Sequence, residues 1–226
     1  PMTNTLIKTV LTAFCLVLFT SPLSASNRLP KTVDGLELQS GTKLAVVYLM
    51  PGETLQEYSK VMLDKPEVAF RKNWQRDFNR DAVSLTMQIK DSDIKKIKEE
   101  LAKEFMSIFT SELEAAGHEV VTESAKDVLL IRPAIVDLAI TAPDTGQRGG
   151  MTRVANSGEM TLYMELHDSF TGDKLALVAD TQTVGKHGIT YGGSAATNRP
   201  EFQKTLKAWA QTLTNGMAEL KQSAAK

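Results

Sequence analysis

The 226-residue chain has one cysteine, Cys15, and no second thiol to pair with it. That excludes an intrachain disulfide framework and thiolate metal sites, so stability has to come from a buried core. Neither sign of charge is in surplus: 26 cations face 27 anions, a formal net charge of −1. Such a balance argues against a general polyanion binder, and no nucleic-acid partner is expected. Beyond the first two dozen residues no long apolar run occurs, so nothing there suggests a membrane span. The motifs Gly-x-Ser-x-Gly and Gly-x-x-x-x-Gly-Lys-Ser/Thr are missing, as is a histidine pair at i, i+4.

The single apolar run, Val10 to Phe19, follows a short polar opening with one cation, Lys8. Pro22 and the small residues Ser24-Ala25-Ser26 come next. A charged opening, a brief apolar core and a small-residue cleavage site are the parts of a secretory signal peptide. The apolar core is too short to span a bilayer, which takes roughly 20 residues. Residues 1–26 are therefore read as a signal peptide cut after Ala25 or Ser26, with Pro1 an artefact ahead of the initiator-like Met2. Cys15 lies inside the apolar run rather than at its end, so no lipid anchor is expected. Removal of this segment takes away Lys8 and no anion, leaving 25 cations against 27 anions. The expected location is the bacterial periplasm.

Asn27 to Lys43 is polar, broken by Pro and Gly and without period, and reads as a flexible leader before a single domain over 44–226. Leu44 to Tyr48 reads as a strand closed by Pro51-Gly52, and short strand pieces flank Asp64-Lys65-Pro66. Val83, Leu85, Met87 and Ile89 alternate with polar residues as a half-buried strand would. Asp91-Ser92 offers an N-cap. Ile94, Ile97, Leu101, Phe105, Ile108, Phe109 and Leu113 then recur at steps of three and four up to Gly117, which predicts a long helix. Val128-Leu129-Leu130-Ile131 has the look of a strand buried on both faces, with Pro133 marking a bulge or an edge. Gly158 to His167 alternates strictly, and Asp168 to Asp173 is a hairpin turn into a partner strand over Leu175–Val184. Residues 143–157 and 185–197 read as Gly-rich loops. Pro200 opens a last helix with Phe202, Leu206, Trp209, Leu213, Met217 and Leu220 on one stripe. The expected fold class is α+β: a mostly antiparallel sheet of five or six strands with two long amphipathic helices packed on one face.

Several segments carry a family likeness. Val47-Tyr48-Leu49-Met50-Pro51-Gly52 through Tyr58-Ser59-Lys60-Val61-Met62-Leu63-Asp64, then Glu67-Val68-Ala69-Phe70 and Trp74, resemble the opening of the bacterial domain-of-unknown-function family 3313. Asp127 to Pro133, Gly158-Glu159-Met160, Glu165 to Ser169, Thr171-Gly172 and Trp209-Ala210 are similar to later parts of it. The resemblance implies an exported protein, in a family with many lipoproteins and no accepted activity or catalytic residues. This chain departs from the lipoprotein pattern in lacking the lipobox cysteine.

No catalytic residue, cofactor or metal site is assigned. His118, His167 and His187 are far apart in sequence; His118 stands past a helix end, where a cation favours the macrodipole. Adjacent residues of a strand point to opposite faces, so His167 and Asp168 would not meet as an acid–base pair, and Asp168, Ser169 and Thr171 are expected to bond the turn. Asp137 and Asp180, set in apolar strands, read as hydrogen-bonded buried carboxylates or, more simply, as edge residues. Trp209 reads as core.

The segment Arg71 to Arg80 interleaves four cations, Arg71, Lys72, Arg76 and Arg80, with Trp74 and Phe78. In a periplasm the anionic partners of such a surface are lipid head groups, lipopolysaccharide or peptidoglycan. The plainer reading is a loop whose aromatics plug the core while its cations stay wet. The expectation is a periplasmic, non-catalytic binding protein that meets an envelope component or a protein through this surface, with peripheral rather than transmembrane contact. Its rivals are an envelope hydrolase with a site in the two Gly-rich loops, and an assembly subunit that oligomerises through a sheet edge.

Overall fold

A computed structural model describes residues 29–82, 88–141, 152–154, 156–185, 191–193 and 195–223. The chain divides into two compact units, Pro1–Lys31 and Thr32–Lys226, and every described strand and helix belongs to the second. Its strands are β1 (Thr32–Val33), β2 (Leu36–Leu38), β3 (Val46–Leu49), β4 (Lys60–Leu63), β5 (Glu67–Phe70), β6 (Glu119–Val121), β7 (Val128–Ile140), β8 (Thr152–Val154), β9 (Gly158–Asp168), β10 (Lys174–Val184) and β11 (Tyr191–Gly193). The helices are α1 (Trp74–Asp81), α2 (Asp91–Ala115) and α3 (Ala195–Ser223).

The class is α+β, but the sheet is larger and more mixed than expected. Nine strands form one sheet in the order β1-β2-β3-β10-β9-β7-β4-β6, with β5 also on β7. The run β1 to β7 through β10 and β9 is antiparallel, whereas β4 and β5 lie parallel to β7 and β6 lies parallel to β4. Parallel neighbours need a crossover connection, and α1 and α2, inserted between β5 and β6, supply it. A third helix, α1, joins the two long ones.

Pro133 is neither a bulge nor an edge start. Ile131 O accepts Asp64 N at 2.9 Å, so position 133, two along, presents its backbone to the same side. There the ladder passes from β4, paired through Ile131, to β5, paired from Ala134, and no N–H is required of the proline. The bulge lies further on, between Val136 and Ala139, where Asp137 adopts φ 50° and is exposed.

One face of the sheet meets both long helices. Met160, Leu162, Met164 and Leu166 from β9 join Leu129, Ile131, Ile135 and Leu138 from β7 in a core with Phe105 and Phe109 of α2 and Leu206 and Trp209 of α3. Phe105 and Phe109 are fully buried one helical turn apart and stack at 3.8 Å between centroids. Each contributes about 2–3 kcal/mol of burial.

Several boundaries move. The reading of residues 27–43 as flexible leader fails over 32–38, where β1 and β2 form a hairpin that buries Leu36 completely. Lys90, not Asp91-Ser92, precedes α2, and the Asp93 carboxylate accepts the Lys90 N–H at 2.8 Å. At its other end the helix stops as expected, with Gly117 at φ 89°. Pro200 sits inside α3, which starts at Ala195. The two Gly-rich segments are joined by a short antiparallel ladder, β8 with β11, rather than being loops throughout. Of the strand expected from Val83 to Ile89, residues 83–87 lie outside the described residues; Ile89 is buried but not in a strand.

Candidate interaction surface

The Arg71–Arg80 segment forms a turn and a short helix. Asn73 takes the left-handed conformation at φ 63°, and Trp74 N and Asp77 N reach back to Arg71 O and Asn73 O at 3.0 and 2.9 Å. Steps of four place Phe70, Trp74 and Phe78 in a column. Phe70 and Trp74 stack at 4.5 Å and 26°, and Trp74 and Phe78 tilt by 31° at 5.6 Å. Phe70 packs on the core, while Trp74 and Phe78 are only half-buried and continue the column outward. No residue of α1 is fully buried.

A different face of α1 fixes it in place. Asn79 Nδ2 donates to Ile89 O at 2.9 Å, its Oδ1 accepts Ile89 N at 2.7 Å, and Gln75 Nε2 donates to Ile89 O at 3.1 Å. The side-chain amide thus stands in for a backbone neighbour and satisfies a buried residue's polar groups. Arg71, Lys72, Arg76 and Arg80 are all exposed. Arg71 pairs with Glu159, Arg76 with Asp77 at 3.0 Å, and Arg80 with Asp77 and Asp81 at 3.5 and 3.3 Å. Lys72 makes no ion pair among the described residues. Exposed pairs of this kind contribute at most about 1 kcal/mol, so they are easily exchanged for another anion.

Sequence reasoning missed a second polar group. On the sheet face opposite the helices, Tyr163, Glu165 and His167 are 7%, 5% and 6% exposed. Glu165 Oε1 accepts the Tyr163 hydroxyl at 2.9 Å and pairs with Lys174 Nζ at 2.8 Å; its Oε2 lies 3.1 Å from His167 Nε2. His167 Nδ1 lies 3.1 Å from the Gly172 carbonyl, and Lys174 Nζ also meets Asp34 at 3.2 Å. Burial pushes the Glu165 carboxyl up, but the bonds from His167, Lys174 and Tyr163 and the Lys174 charge outweigh it and hold it at about 2. Burial alone lowers Lys174, yet the Glu165 and Asp34 contacts raise it above its ordinary value. The signal in the sequence was Glu165-x-His167: residues two apart on a strand share a face. These are the residue types of an acid–base centre, but each is engaged in this network and together they tie the β1–β2 hairpin to β10 and the 168–173 turn.

The remaining sites of interest separate. Asp168 caps its turn by accepting Phe170 N and Thr171 N, each at 2.7 Å, and Ser169 Oγ donates to Ala125 O at 2.9 Å. Asp180 is buried on a central strand, not at an edge, and accepts Trp209 Nε1, Gln182 Nε2 and Ala45 N at 2.7, 2.8 and 3.0 Å. Trp209 is core, as expected. Burial first, and then the Lys221 charge, push the His118 imidazole down. His187 lies outside the described residues. Among the described residues no cluster of His, Cys, Asp and Glu could hold a metal ion, and no helix is long and apolar enough to cross a membrane.

Comparison with known proteins gives a family and several distant similarities. No curated protein matches the chain. A PelC dodecamer from Paraburkholderia phytofirmans is similar at 13% identity and TM-score 0.38, over 74% of this chain and 96% of that one. A minor lipoprotein from Acinetobacter baumannii has 10% identity and TM-score 0.33, over 72% and 94%. A DUF330 protein from Xanthomonas campestris has 14% identity and TM-score 0.38, over 77% and 92%. No function passes from these likenesses to this chain. Residues 27–213 match the family described as "Protein of unknown function (DUF3313)", in agreement with the motifs from Val47 to Ala210, and the chain belongs to that family.

Proposed function

We propose that this chain is a non-catalytic interaction protein of the bacterial envelope, exported to the periplasm through a cleaved N-terminal signal. Its contact with an anionic envelope component is made by α1 and the turn before it. The observation that supports this reading is the half-buried column Phe70–Trp74–Phe78, bordered by four exposed cations and clamped at Ile89 by Asn79 and Gln75. An aromatic with one wet side suits an interface between water and a lipid or glycan layer. The arginines present planar donors that fit phosphate or carboxylate, and their present partners are exposed aspartates and one glutamate. A clamped helix offers its side chains already placed, which lowers the ordering cost of binding.

The test compares the chain with a variant carrying Arg71→Ser, Lys72→Ser, Arg76→Ser and Arg80→Ser for retention on isolated envelope fractions. Retention that falls sharply in the variant, and in the parent at high salt, supports the reading. Equal retention of both removes this surface as the contact.

A further inference from the structure

We propose that the cleft between the end of α2 and the last turns of α3 is a binding site for a small oxyanion, a carboxylate or phosphate group, held by Lys221 and His118. The cleft is independent of the α1 surface. Its volume is about 470 Å³, within the range of small-molecule sites, and Ala116, Gly117 and Ala218 leave its walls open.

Two bases, His118 after α2 and Lys221 of α3, face this space, and among the described residues no carboxylate lines it. Lys221 Nζ donates to Tyr58 O at 2.7 Å, which leaves two of its three N–H groups for a ligand. His118 is 9% exposed, and a hydrogen bond with the Ser59 backbone fixes it in place. Among the described residues neither base pairs with a carboxylate. Asp127, which accepts Ser59 Oγ at 3.1 Å, is already paired with Lys60 at 3.2 Å. A half-buried lysine and a buried histidine that face one cleft, with no carboxylate partner among the described residues, suit an anion there.

Capping of α2 does not use these groups. Ala116 N, Gly117 N and His118 N already serve the carbonyls of Glu112, Glu114 and Leu113 at 3.0, 2.9 and 3.0 Å. The electrostatics point the same way. Burial lowers Lys221, and burial followed by the Lys221 charge lowers His118. An anion between them offsets the Lys221 charge felt by His118 and favours the charged form of both.

The experiment titrates the whole chain, labelled at histidine, with inorganic phosphate and separately with acetate at constant ionic strength, following ring resonances by NMR. The site predicts a saturable shift at His118 that His167 does not share, with the His118 titration midpoint moving upward. Saturation by phosphate alone or acetate alone identifies the source of the oxyanion. Lys221→Met weakens binding by about tenfold or more, and Lys221→Arg retains it. A shift that never saturates, or one shared equally by His167, overturns the proposal. Unchanged affinity in a folded Lys221→Met does the same. The parent titration decides the matter by itself should that variant fail to fold.

Discussion

Asn79 holds both backbone polar groups of Ile89, donating to its carbonyl at 2.9 Å and accepting from its N–H at 2.7 Å. Ile89 is 2% exposed, so these groups have little water to turn to. Asn79→Ala removes both bonds and should destabilise the chain by about 1–3 kcal/mol. Because the clamp positions α1, it should also make Trp74 more accessible to acrylamide quenching. Unchanged stability and quenching would show that α1 is held by other contacts.

The Glu165 network makes the chain sensitive to acid. Its carboxyl sits at about 2 when folded, against an ordinary 4.5. A lowered carboxyl stabilises the fold above the unfolded value and loses that contribution as pH falls through the folded one. On the order of 3 kcal/mol should therefore disappear between about pH 4.5 and pH 2. Glu165→Gln should flatten this limb in urea denaturation and cost about 3 kcal/mol at neutral pH, since Lys174 and His167 lose their shared partner. Lys174 behaves in the opposite sense. Raised above 10.5, it contributes below that pH and is lost as pH climbs through its folded value.

Asp180 gathers three donors where a sheet strand meets α3. Asp180→Leu strands the Trp209 indole N–H and the Ala45 N–H, each worth about 1–3 kcal/mol when buried without a partner. Trp209→Phe leaves the carboxylate two of its donors and should cost less than Asp180→Leu. Thermal denaturation of the two variants gives the order, and the reverse order would contradict the assignment.

At Gly158 the backbone itself is the constraint. A Cβ there would lie 2.2 Å from Ala139 O, a main-chain atom that cannot swing aside, and φ is 155°. Gly158→Ala should destabilise by more than about 2 kcal/mol, with the damage centred on the β7–β9 ladder. Amide exchange at Ala139 and Ile140 would report it, and protection equal to the parent's would count against this geometry.

What could be read from the sequence was local. The alternation of Met160 to Leu166, the spacing from Ile94 to Leu113 and the Asp168–Asp173 turn each carry their structure within a couple of dozen residues, and all three hold. Sheet order could not be read that way. Nothing local says that Val61 pairs with Leu129, because the pairing depends on a crossover through two helices. The β1–β2 hairpin was hidden by its brevity and polarity, since only Leu36 and its burial identify it. Glu165 and His167 stood on what alternation marks as the solvent face, and only the packing of the sheet reveals that this face is covered there. For the surface itself, the aromatic-cation spacing was plain in the sequence. The pairing of Arg76 and Arg80 with neighbouring aspartates was not.

The emission of Trp74 tests the α1 contact most directly. Trp209 is 3% exposed, so a response to added vesicles should come from Trp74, and Trp74→Phe supplies the control. On titration with vesicles rich in anionic phospholipid or with lipopolysaccharide, Trp74 emission should shift to the blue. The shift should saturate, weaken at high salt and vanish in Trp74→Phe. Binding of the chain to these surfaces with Trp74 emission unchanged would rule out α1 as the contact.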